Sequence, residues 1–280
     1  MRILVTGAAG MLGRDVCQAA QAAGHEVIGH ARAQLDITDA AAVQETVSAA
    51  APDAVINCAA WTDVDGAEGR FEDAVAVNGA GAGIVAAAAA AAGAWTIHVS
   101  SDYVFDGEKT SPYVESDAVD PIGAYGASKL QGERDVAATG DRHTIVRSSW
   151  LFGAHGACFP KTILRLAAER EELSIVADQL GCPTFTGHLA PALVTLAQDP
   201  IPGVLHVAGA ESCSWYEFAG EIAAAAGAQC RVRPIATADY PTPARRPAYS
   251  VLASERGAPS LPSWRTGLHD FMAAFSQAAV

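Results

Sequence analysis

Short apolar runs alternate with segments of helical period along the first half of the chain. The runs carry few polar residues and are typical of buried strands; they lie at 2–6, 26–29, 53–60, 95–101 and 144–147. A further short strand is predicted at 35–37. Strands that alternate with helices predict a parallel sheet with helices on both faces. The sequence therefore predicts an α/β protein whose residues 1–150 form a doubly wound parallel sheet.

The alternation loosens after residue 150, and residues 151–280 are predicted to form a smaller, mixed α/β substrate-binding lobe. Part of 185–210 is expected to return to the main sheet. The tail from residue 231 is rich in proline and arginine, which is typical of a surface loop. The adjacent Arg245 and Arg246 are alternatively placed to clamp a diphosphate.

A glycine-rich turn follows the first strand directly. It places glycines at 7, 10 and 13, and a helical segment continues to residue 23. In this arrangement a pyrophosphate lies on the helix N-terminus, and the glycines let the backbone approach it closely. A generic turn between a strand and a helix is the alternative. The turn predicts that residues 1–150 form a Rossmann-type domain that binds NAD(P). The predicted cofactor contacts in the turn are Gly7, Gly10, Met11 and Leu12.

The end of the second strand bears on the choice of cofactor. An acidic residue there suits the ribose hydroxyls of NAD, whereas an arginine suits the 2′-phosphate of NADP. Arg32 follows this strand without a carboxylate beside it, which favours NADPH over NADH, although Arg32 also suits a solvated loop. Asp36 is predicted to accept from the adenine amino group, or else to cap a turn or helix. The remaining predicted cofactor contacts are Ile37, Ala59, Ala60 and Asn78.

Tyr125 and Lys129 stand four positions apart in a segment of helical period, so both project from one helix face. A neighbouring ammonium favours the phenolate, which predicts that Lys129 lowers the pKa of Tyr125 toward neutrality. Ser101 ends the run 95–101 and is placed to hold a carbonyl oxygen between its hydroxyl and Tyr125. The three residues predict a carbonyl-reducing site beside a hydride donor. The alternative is a solvated helix face that carries a tyrosine and a lysine.

Composition limits the classes of partner. Half of the 280 residues are apolar and 18% are charged, as in an ordinary soluble enzyme. The net charge of −13 argues against nucleic acid and anionic membranes as partners, because both would repel it.

The six cysteines form no CxxC pair and the first residues do not form a signal peptide, which predicts a cytoplasmic protein with reduced thiols. No metal-ligand spacing is found among the histidines. No apolar stretch is expected to span a bilayer, because glycines interrupt the sequence around the alanine-rich run 86–92.

Motifs along the whole chain resemble those of the dTDP-4-dehydrorhamnose reductases, a branch of the extended short-chain dehydrogenases. The matching stretches occur in the same order; they are the glycine turn 7–13, LDITD at 35–39, NCAAWTDVD at 57–65, SSDYVFDG at 100–107, YGASK at 125–129, RSSW at 147–150, DQLGCPT at 178–184, RPAYS at 246–250 and WR at 264–265. Three positions depart from the usual pattern of relatives: Met11 replaces glutamine, Cys158 replaces asparagine and His188 replaces a charged residue. Family members are reported to use magnesium at a subunit contact, but no acidic cluster in this sequence matches such a ligand set.

The resemblance implies a catalytic triad of Ser101, Tyr125 and Lys129, the last two also holding the cofactor. It also implies a sugar-nucleotide pocket. The predicted substrate contacts are Thr62, Val64, Asp65, Ser101, Asp102, Tyr103, Trp150, Pro183 and Thr184. Trp150 is alternatively a core tryptophan at the end of a strand.

The reaction that the resemblance implies is the NADPH-dependent reduction of the C4 keto group of dTDP-4-dehydro-β-L-rhamnose to dTDP-L-rhamnose, a step of deoxysugar nucleotide biosynthesis. One alternative is another ketoreductase or an epimerase that acts on an NDP-4-keto-6-deoxyhexose. The other is a non-catalytic NADP-binding regulatory subunit, which would have no need of the triad. A homodimer is the candidate assembly.

Overall fold

Strands and helices alternate along residues 1–278, which a computed structural model describes. The strands are β1 (Arg2–Thr6), β2 (Glu26–His30), β3 (Ala54–Asn57), β4 (Trp95–Ser101), β5 (His143–Ser148), β6 (Leu151–Phe152), β7 (Glu172–Val176), β8 (Leu180–Gly181), β9 (Thr184–Phe185), β10 (Gly203–His206), β11 (Cys213–Ser214) and β12 (Arg231–Ile235). The α-helices are α1 (Met11–Ala22), α2 (Ala40–Ala50), α3 (Val64–Gly69), α4 (Phe71–Val75), α5 (Ala82–Ala91), α6 (Ala124–Ala137), α7 (Phe159–Glu169), α8 (Thr186–Gln198), α9 (Trp215–Ala225) and α10 (Trp264–Ala278). A π-helical turn (Ala76–Gly81) joins α4 to α5, and 3-10 turns lie at Asp102–Val104 and Thr237–Asp239.

Among the described residues, six strands form the central sheet in the order β10-β5-β4-β3-β1-β2, and all neighbouring pairs are parallel. Alternate side chains of β1 point to opposite faces. Ile3 and Val5 pack with α1 and α8, whereas Leu4 packs with α2 and α5. Because helices cover both faces, the strands are apolar on both, which explains their unbroken apolar runs. The predicted α/β, doubly wound sheet is confirmed.

Strand β10 lies beside β5 in this sheet, with Leu205 opposite Val146 and both side chains buried. Helix α8, which precedes β10, packs against α1. The chain from 186 to 206 therefore lies with the central sheet although it belongs to the second half of the sequence. The division of the chain at residue 150 into a cofactor domain and a substrate lobe stays a prediction.

The rest of the second half forms its own core. Strand pairs β6–β9 and β7–β12 are parallel, and β8–β11 is antiparallel. Helices α7, α9 and α10 enclose a core that includes Phe218, Trp264 and Phe271. The prediction that the tail from residue 231 is a surface loop is wrong, because β12 pairs with β7 and α10 buries two aromatic rings. Pro234 obscured this strand in the sequence; it lies in a two-stranded ladder, where a missing N–H is tolerated.

The predicted strand at 35–37 is wrong. Leu35 and Ile37 are buried, but they belong to the core beneath α2, and the segment forms a turn and not a ladder. Asp39 ends the turn as the N-cap of α2, and its carboxylate accepts from two N–H groups of the first helical turn. The apolar side chains of this segment thus reflect packing against a helix and not strand pairing.

The glycines around the alanine-rich run do not interrupt the helix, contrary to expectation. Helix Phe71–Ala91 is continuous through the π-helical turn, and with a mean hydropathy of 1.7 it is long and apolar enough to cross a membrane by length and composition alone. Half of its most apolar window is buried inside the fold, where α5 packs against α2, α6 and β4. A core helix of a soluble protein passes the same test, so this one is weak evidence for a membrane span.

Candidate active site

A cleft of about 760 Å³ opens at the carboxyl ends of the central strands, where ligands bind in open α/β sheets. The predicted cofactor contacts that line it are Gly7, Gly10, Met11, Leu12, Arg32, Asp36, Ile37, Ala59, Ala60, Tyr125 and Lys129. The predicted substrate contacts that line it are Thr62, Val64, Ser101, Asp102, Tyr103 and Trp150. Among the described residues, four predicted contacts lie outside this lining; they are Asp65, Asn78, Pro183 and Thr184.

Backbone geometry explains two glycines of the turn after β1. Gly7 has a φ of +68°, and a Cβ on it would lie 2.7 Å from the backbone nitrogen of Ala59. A Cβ on Gly13 would lie 2.2 Å from the carbonyl oxygen of Gly7. A side chain at either position would therefore clash with main chain. The close approach of strand, turn and helix that a pyrophosphate site requires is present.

The first turn of α1 completes the fit to a dinucleotide. Gly10 is its N-cap, and within residues 1–278 no side chain caps this helix end and no acidic residue lies in its first turn. The first N–H groups of the helix are thus available to an anion, and the positive end of the helix dipole faces it. The residues present fit the pyrophosphate of NADP.

Arg32 and Asp36 line the cleft after β2. The Arg32 side chain is 82% exposed, and its guanidinium lies 3.9 Å from the Asp36 carboxylate. Asp36 accepts from the N–H and the hydroxyl of Thr38, and these hydrogen bonds lower the pKa of the carboxyl. Asp36 therefore stabilises a turn, and its contact with the adenine amino group stays a prediction. Arg32 remains accessible to a phosphate.

Asn78 lies behind the cleft and not in it. Its buried side chain accepts from the N–H of Trp61 at 2.8 Å, and donates to the Trp61 carbonyl at 3.1 Å and to the Ser128 hydroxyl at 2.9 Å. Ser128 in turn donates to the carbonyl of Tyr125 at 2.7 Å. Asn78 therefore connects the loop at Trp61 to helix α6, and its predicted contact with the cofactor stays a prediction.

Lys129 is anchored at the base of the cleft. Its ammonium donates to the Val99 carbonyl oxygen at 2.7 Å, and its side chain is buried. Burial lowers the pKa of Lys129 to about 8, and the charge of Glu133, one turn later on α6, opposes that shift. The lysine is therefore tied to β4 by its head group and to α6 by its backbone.

The surroundings of Tyr125 favour the neutral phenol over the phenolate. Desolvation raises the pKa of Tyr125 to about 12, the Asp102 charge raises it as well, and the Ser101 hydroxyl lowers it. The expectation that Lys129 lowers this pKa is wrong in this arrangement, because the ammonium is directed to Val99. A phenol with a raised pKa keeps its proton at neutral pH.

Ser101 and Asp102 form a hydrogen-bonded pair where β4 ends. The Ser101 hydroxyl donates to Asp102 Oδ1 at 2.9 Å and accepts from the N–H of Tyr103 at 3.2 Å. Ser149 donates to Asp102 Oδ2 at 3.0 Å. Burial raises the pKa of Asp102 to about 6, and the hydroxyls of Ser250, Ser101 and Ser149 limit that rise. While Asp102 is charged, its carboxylate accepts the hydrogen bond that the Ser101 hydroxyl donates.

Two indoles form an aromatic wall of the cleft. Trp150 lines the cleft and is half-buried, so it is not a fully buried core tryptophan. The ring of Trp215 stacks on it with centroids 3.5 Å apart and an interplanar angle of 4°. Trp215 was not among the residues predicted from the sequence. The signal that was available is the capping box of Ser214 and Glu217, which fixes Trp215 as the first residue of α9.

Other predicted contacts are engaged within the protein. Arg246 donates to both carboxylate oxygens of Asp65, at 2.6 and 2.9 Å, so neither residue is placed as the predicted substrate contact or diphosphate clamp. Arg245 is exposed and is not part of the cleft lining. Pro183 and Thr184 are buried, and the Thr184 hydroxyl donates to the Cys182 carbonyl and accepts from the N–H of Gly209. Within residues 1–278, no group of three or more His, Cys, Asp or Glu side chains is arranged to hold a metal ion.

Comparison with known proteins agrees with this geometry. The family model described as "RmlD substrate binding domain" matches residues 1–277. A dTDP-4-dehydrorhamnose reductase of Burkholderia thailandensis is 43% identical, over 95% of this chain and 96% of its own. A dTDP-4-keto-6-deoxy-D-glucose reductase of Streptomyces niveus is 40% identical, over 95% of both chains. The crystal structure of a dTDP-4-dehydrorhamnose reductase of Bacillus anthracis in complex with NADP superimposes with a TM-score of 0.94 at 38% identity, covering 97% of this chain and 98% of that one.

The similarity extends over nearly the whole of each chain, so it spans both halves of this sequence. On this evidence the chain belongs to the dTDP-4-dehydrorhamnose reductase family of extended short-chain dehydrogenases.

Proposed function

We propose that the protein is an NADPH-dependent reductase that converts the C4 keto group of dTDP-4-dehydro-β-L-rhamnose into the alcohol of dTDP-L-rhamnose. The observation that carries the proposal is the presence of Ser101, Tyr125 and Lys129 in the same cleft as the glycine turn and Arg32. The relatives named above as reductases, and the NADP complex of one of them, support the same chemistry.

Tyr125 has the protonation state that this reaction needs. A bound NADPH supplies a hydride, and the keto oxygen then develops the charge of an alkoxide. An alkoxide is far more basic than a phenolate, so a phenol whose pKa is raised to about 12 still gives up its proton to it. Tyr125 would therefore donate the proton, and the Ser101 hydroxyl would orient the keto oxygen.

Lys129 would hold the nicotinamide ribose and place positive charge beside the reacting groups. Its tie to the Val99 carbonyl fixes the ammonium on β4, the strand that also ends in Ser101. The acidic protein would work in the cytoplasm, where NADPH and nucleotide sugars are available, without nucleic acid or membrane as partner. A homodimer stays the predicted assembly.

A second candidate function is the reduction of a related 4-keto-6-deoxyhexose nucleotide. The Streptomyces niveus relative, named as acting on dTDP-4-keto-6-deoxy-D-glucose, is nearly as similar to this chain as the relative from Burkholderia thailandensis. The two substrates differ in the configuration of the sugar ring, so the aromatic wall and the loop at Thr62 would decide between them.

The test is NADPH oxidation, followed by absorbance, with enzymatically prepared dTDP-4-dehydrorhamnose and, in parallel, with dTDP-4-keto-6-deoxyglucose. We expect oxidation with the first substrate at a kcat/KM at least about tenfold above the second. Faster turnover of the second substrate would establish the second candidate. No oxidation with either, while NADPH still binds, would contradict both and favour a regulatory subunit.

Replacing Arg32 by alanine should weaken NADPH binding about tenfold and change NADH binding less than about twofold, because only NADPH carries the 2′-phosphate. The measurement is the Kd of each nucleotide by fluorescence titration. Arg32→Lys is the matched control, since it keeps the charge, and should retain most of the affinity. An equal loss for both nucleotides in Arg32→Ala would show that Arg32 does not contact the phosphate.

The ionisation of Asp102 should make kcat/KM higher at acidic pH than at neutral pH. Protonation of Asp102 frees the Ser101 proton for the keto oxygen, so kcat/KM should fall about tenfold between about pH 5 and about pH 7, as a group with a pKa of about 6 loses its proton. Asp102→Asn should abolish this fall. Asp106→Asn, which removes a carboxylate outside the cleft lining, should retain it. The same fall in the Asp102 variant would refute the role of this carboxyl.

A further inference from the structure

Trp150 is held in an unusual conformation. It follows β5 with a φ of 46°, in the left-handed region that residues with side chains rarely adopt. The neighbouring Ser149 is tied to Asp102 and to the N–H of Cys182. A backbone in this region persists only where surrounding contacts determine it. The hydrogen bonds of Ser149 and the packing of the Trp150 ring are the contacts that hold this backbone in place.

Two elements of the second half contact that ring directly, and a third supports one of them. On β8, Gly181 lies so close that a Cβ on it would be 2.4 Å from Cε2 of Trp150. On α9, Trp215 stacks in parallel at 3.5 Å. On α7, Phe159 packs against Trp215 with centroids 4.5 Å apart. The Trp150 indole thus contacts a glycine backbone and a second indole, and that second indole is supported by a phenyl ring.

The position of Trp215 is itself set by the backbone. Strand β11 pairs with β8 so that Cys213 lies opposite Gly181 and Ser214 opposite Leu180. Ser214 then caps α9, accepting from the N–H of Glu217 while the Glu217 carboxylate accepts from the N–H of Ser214. The pairing of β11 with β8 and the N-cap of α9 therefore hold Trp215 against the Trp150 ring.

We propose that Trp215 is a positioning residue: by stacking on Trp150 it fixes the indole wall against which the sugar nucleotide lies. The inference deepens the proposed function, since it concerns the substrate of the same site. Both rings line the cleft, and a rigid aromatic surface binds an apolar sugar face or a pyrimidine base by the same stacking contact. Trp215 lowers the KM because the wall needs no rearrangement when the substrate binds.

The test compares Trp215→Leu, Trp150→Leu and the double variant. Trp215→Leu should raise the KM for dTDP-4-dehydrorhamnose about tenfold, with kcat changed less than about threefold and the Kd for NADPH unchanged. Because Trp215 acts through Trp150, the double variant should be no worse than Trp150→Leu alone. Trp215→Phe should restore most of the affinity. Trp95→Phe, at the other end of β4 and hydrogen-bonded to Thr144, is the control and should change nothing.

Calorimetry measures the affinity of each variant for dTDP and dTDP-glucose, and so tests the inference without turnover. Loss of affinity for both ligands in Trp215→Leu would place the base on the wall, and loss for dTDP-glucose alone would place the sugar there. Unchanged affinity for both ligands with an unchanged KM, or fully additive effects of the two substitutions, would overturn the inference. Absence of turnover in the wild-type protein would count against the proposed function alone, because these binding measurements do not depend on catalysis.

Discussion

Replacing Tyr125 by phenylalanine is expected to lower kcat by about 10²–10⁴-fold, which is the usual contribution of a positioned general acid. The variant loses the only atom of the side chain that carries a transferable proton and keeps the ring that packs edge-on against Tyr103, with centroids 5.6 Å apart. The Kd for NADPH should stay within about threefold of wild type. Steady-state kinetics with dTDP-4-dehydrorhamnose and a fluorescence titration with NADPH measure the two effects.

Tyr103→Phe is the matched control for this experiment. Tyr103 lines the same cleft, and burial raises the pKa of its phenol as well, with the Asp102 charge adding to the shift. It lies outside the triad, so its loss should act mainly on the KM. A Tyr125→Phe enzyme that keeps more than about a tenth of wild-type kcat, or a Tyr103→Phe enzyme that is equally impaired, would remove Tyr125 from the role of proton donor.

Replacing Glu133 by glutamine is expected to lower the free energy of unfolding by about 3–5 kcal/mol. Glu133 on α6 accepts from Arg147 on β5 at 2.9 Å (Nε) and 2.7 Å (Nη2), and from the Ser100 hydroxyl at 2.6 Å. Both charged side chains are 5% exposed. Glutamine keeps the shape but leaves the buried guanidinium without a counter-charge, and that unpaired charge is the source of the instability.

Urea unfolding measures the change, and Glu169→Gln provides the control. Glu169 pairs with Arg165 four residues earlier on α7, with the two side chains 53% and 60% exposed. Loss of that solvated pair should change the free energy of unfolding by less than about 1 kcal/mol. If Glu133→Gln is also within about 1 kcal/mol of wild type, the pair does not stabilise the contact between α6 and β5.

The first half of the fold was predictable because its signals are local. The apolar run of β1 and the glycine at 7 lie next to each other in the sequence, and the strand, turn and helix form where that pattern placed them. Tyr125 and Lys129 are one helical turn apart, so their shared face followed from spacing alone. These are features that a single element determines.

The features that sequence reasoning missed depend on distant contacts. Trp215 stacks on Trp150 across 65 positions, and Asp65 pairs with Arg246 across 181, and no local pattern encodes either pairing. The prediction that Lys129 lowers the pKa of Tyr125 was wrong for a related reason. Spacing put Lys129 beside it, but the carbonyl of Val99, on another strand, decides where the ammonium points.

The most direct test of the central claim is the fate of the hydride. Wild-type enzyme would be incubated with dTDP-4-dehydrorhamnose and NADPH dideuterated at C4 of the nicotinamide, and the product examined by NMR and mass spectrometry. We expect dTDP-L-rhamnose with one deuterium, bonded to C4 of the sugar. Product without deuterium at that carbon, or deuterium at a different carbon, would contradict the assignment of this cleft as a C4 ketoreductase site.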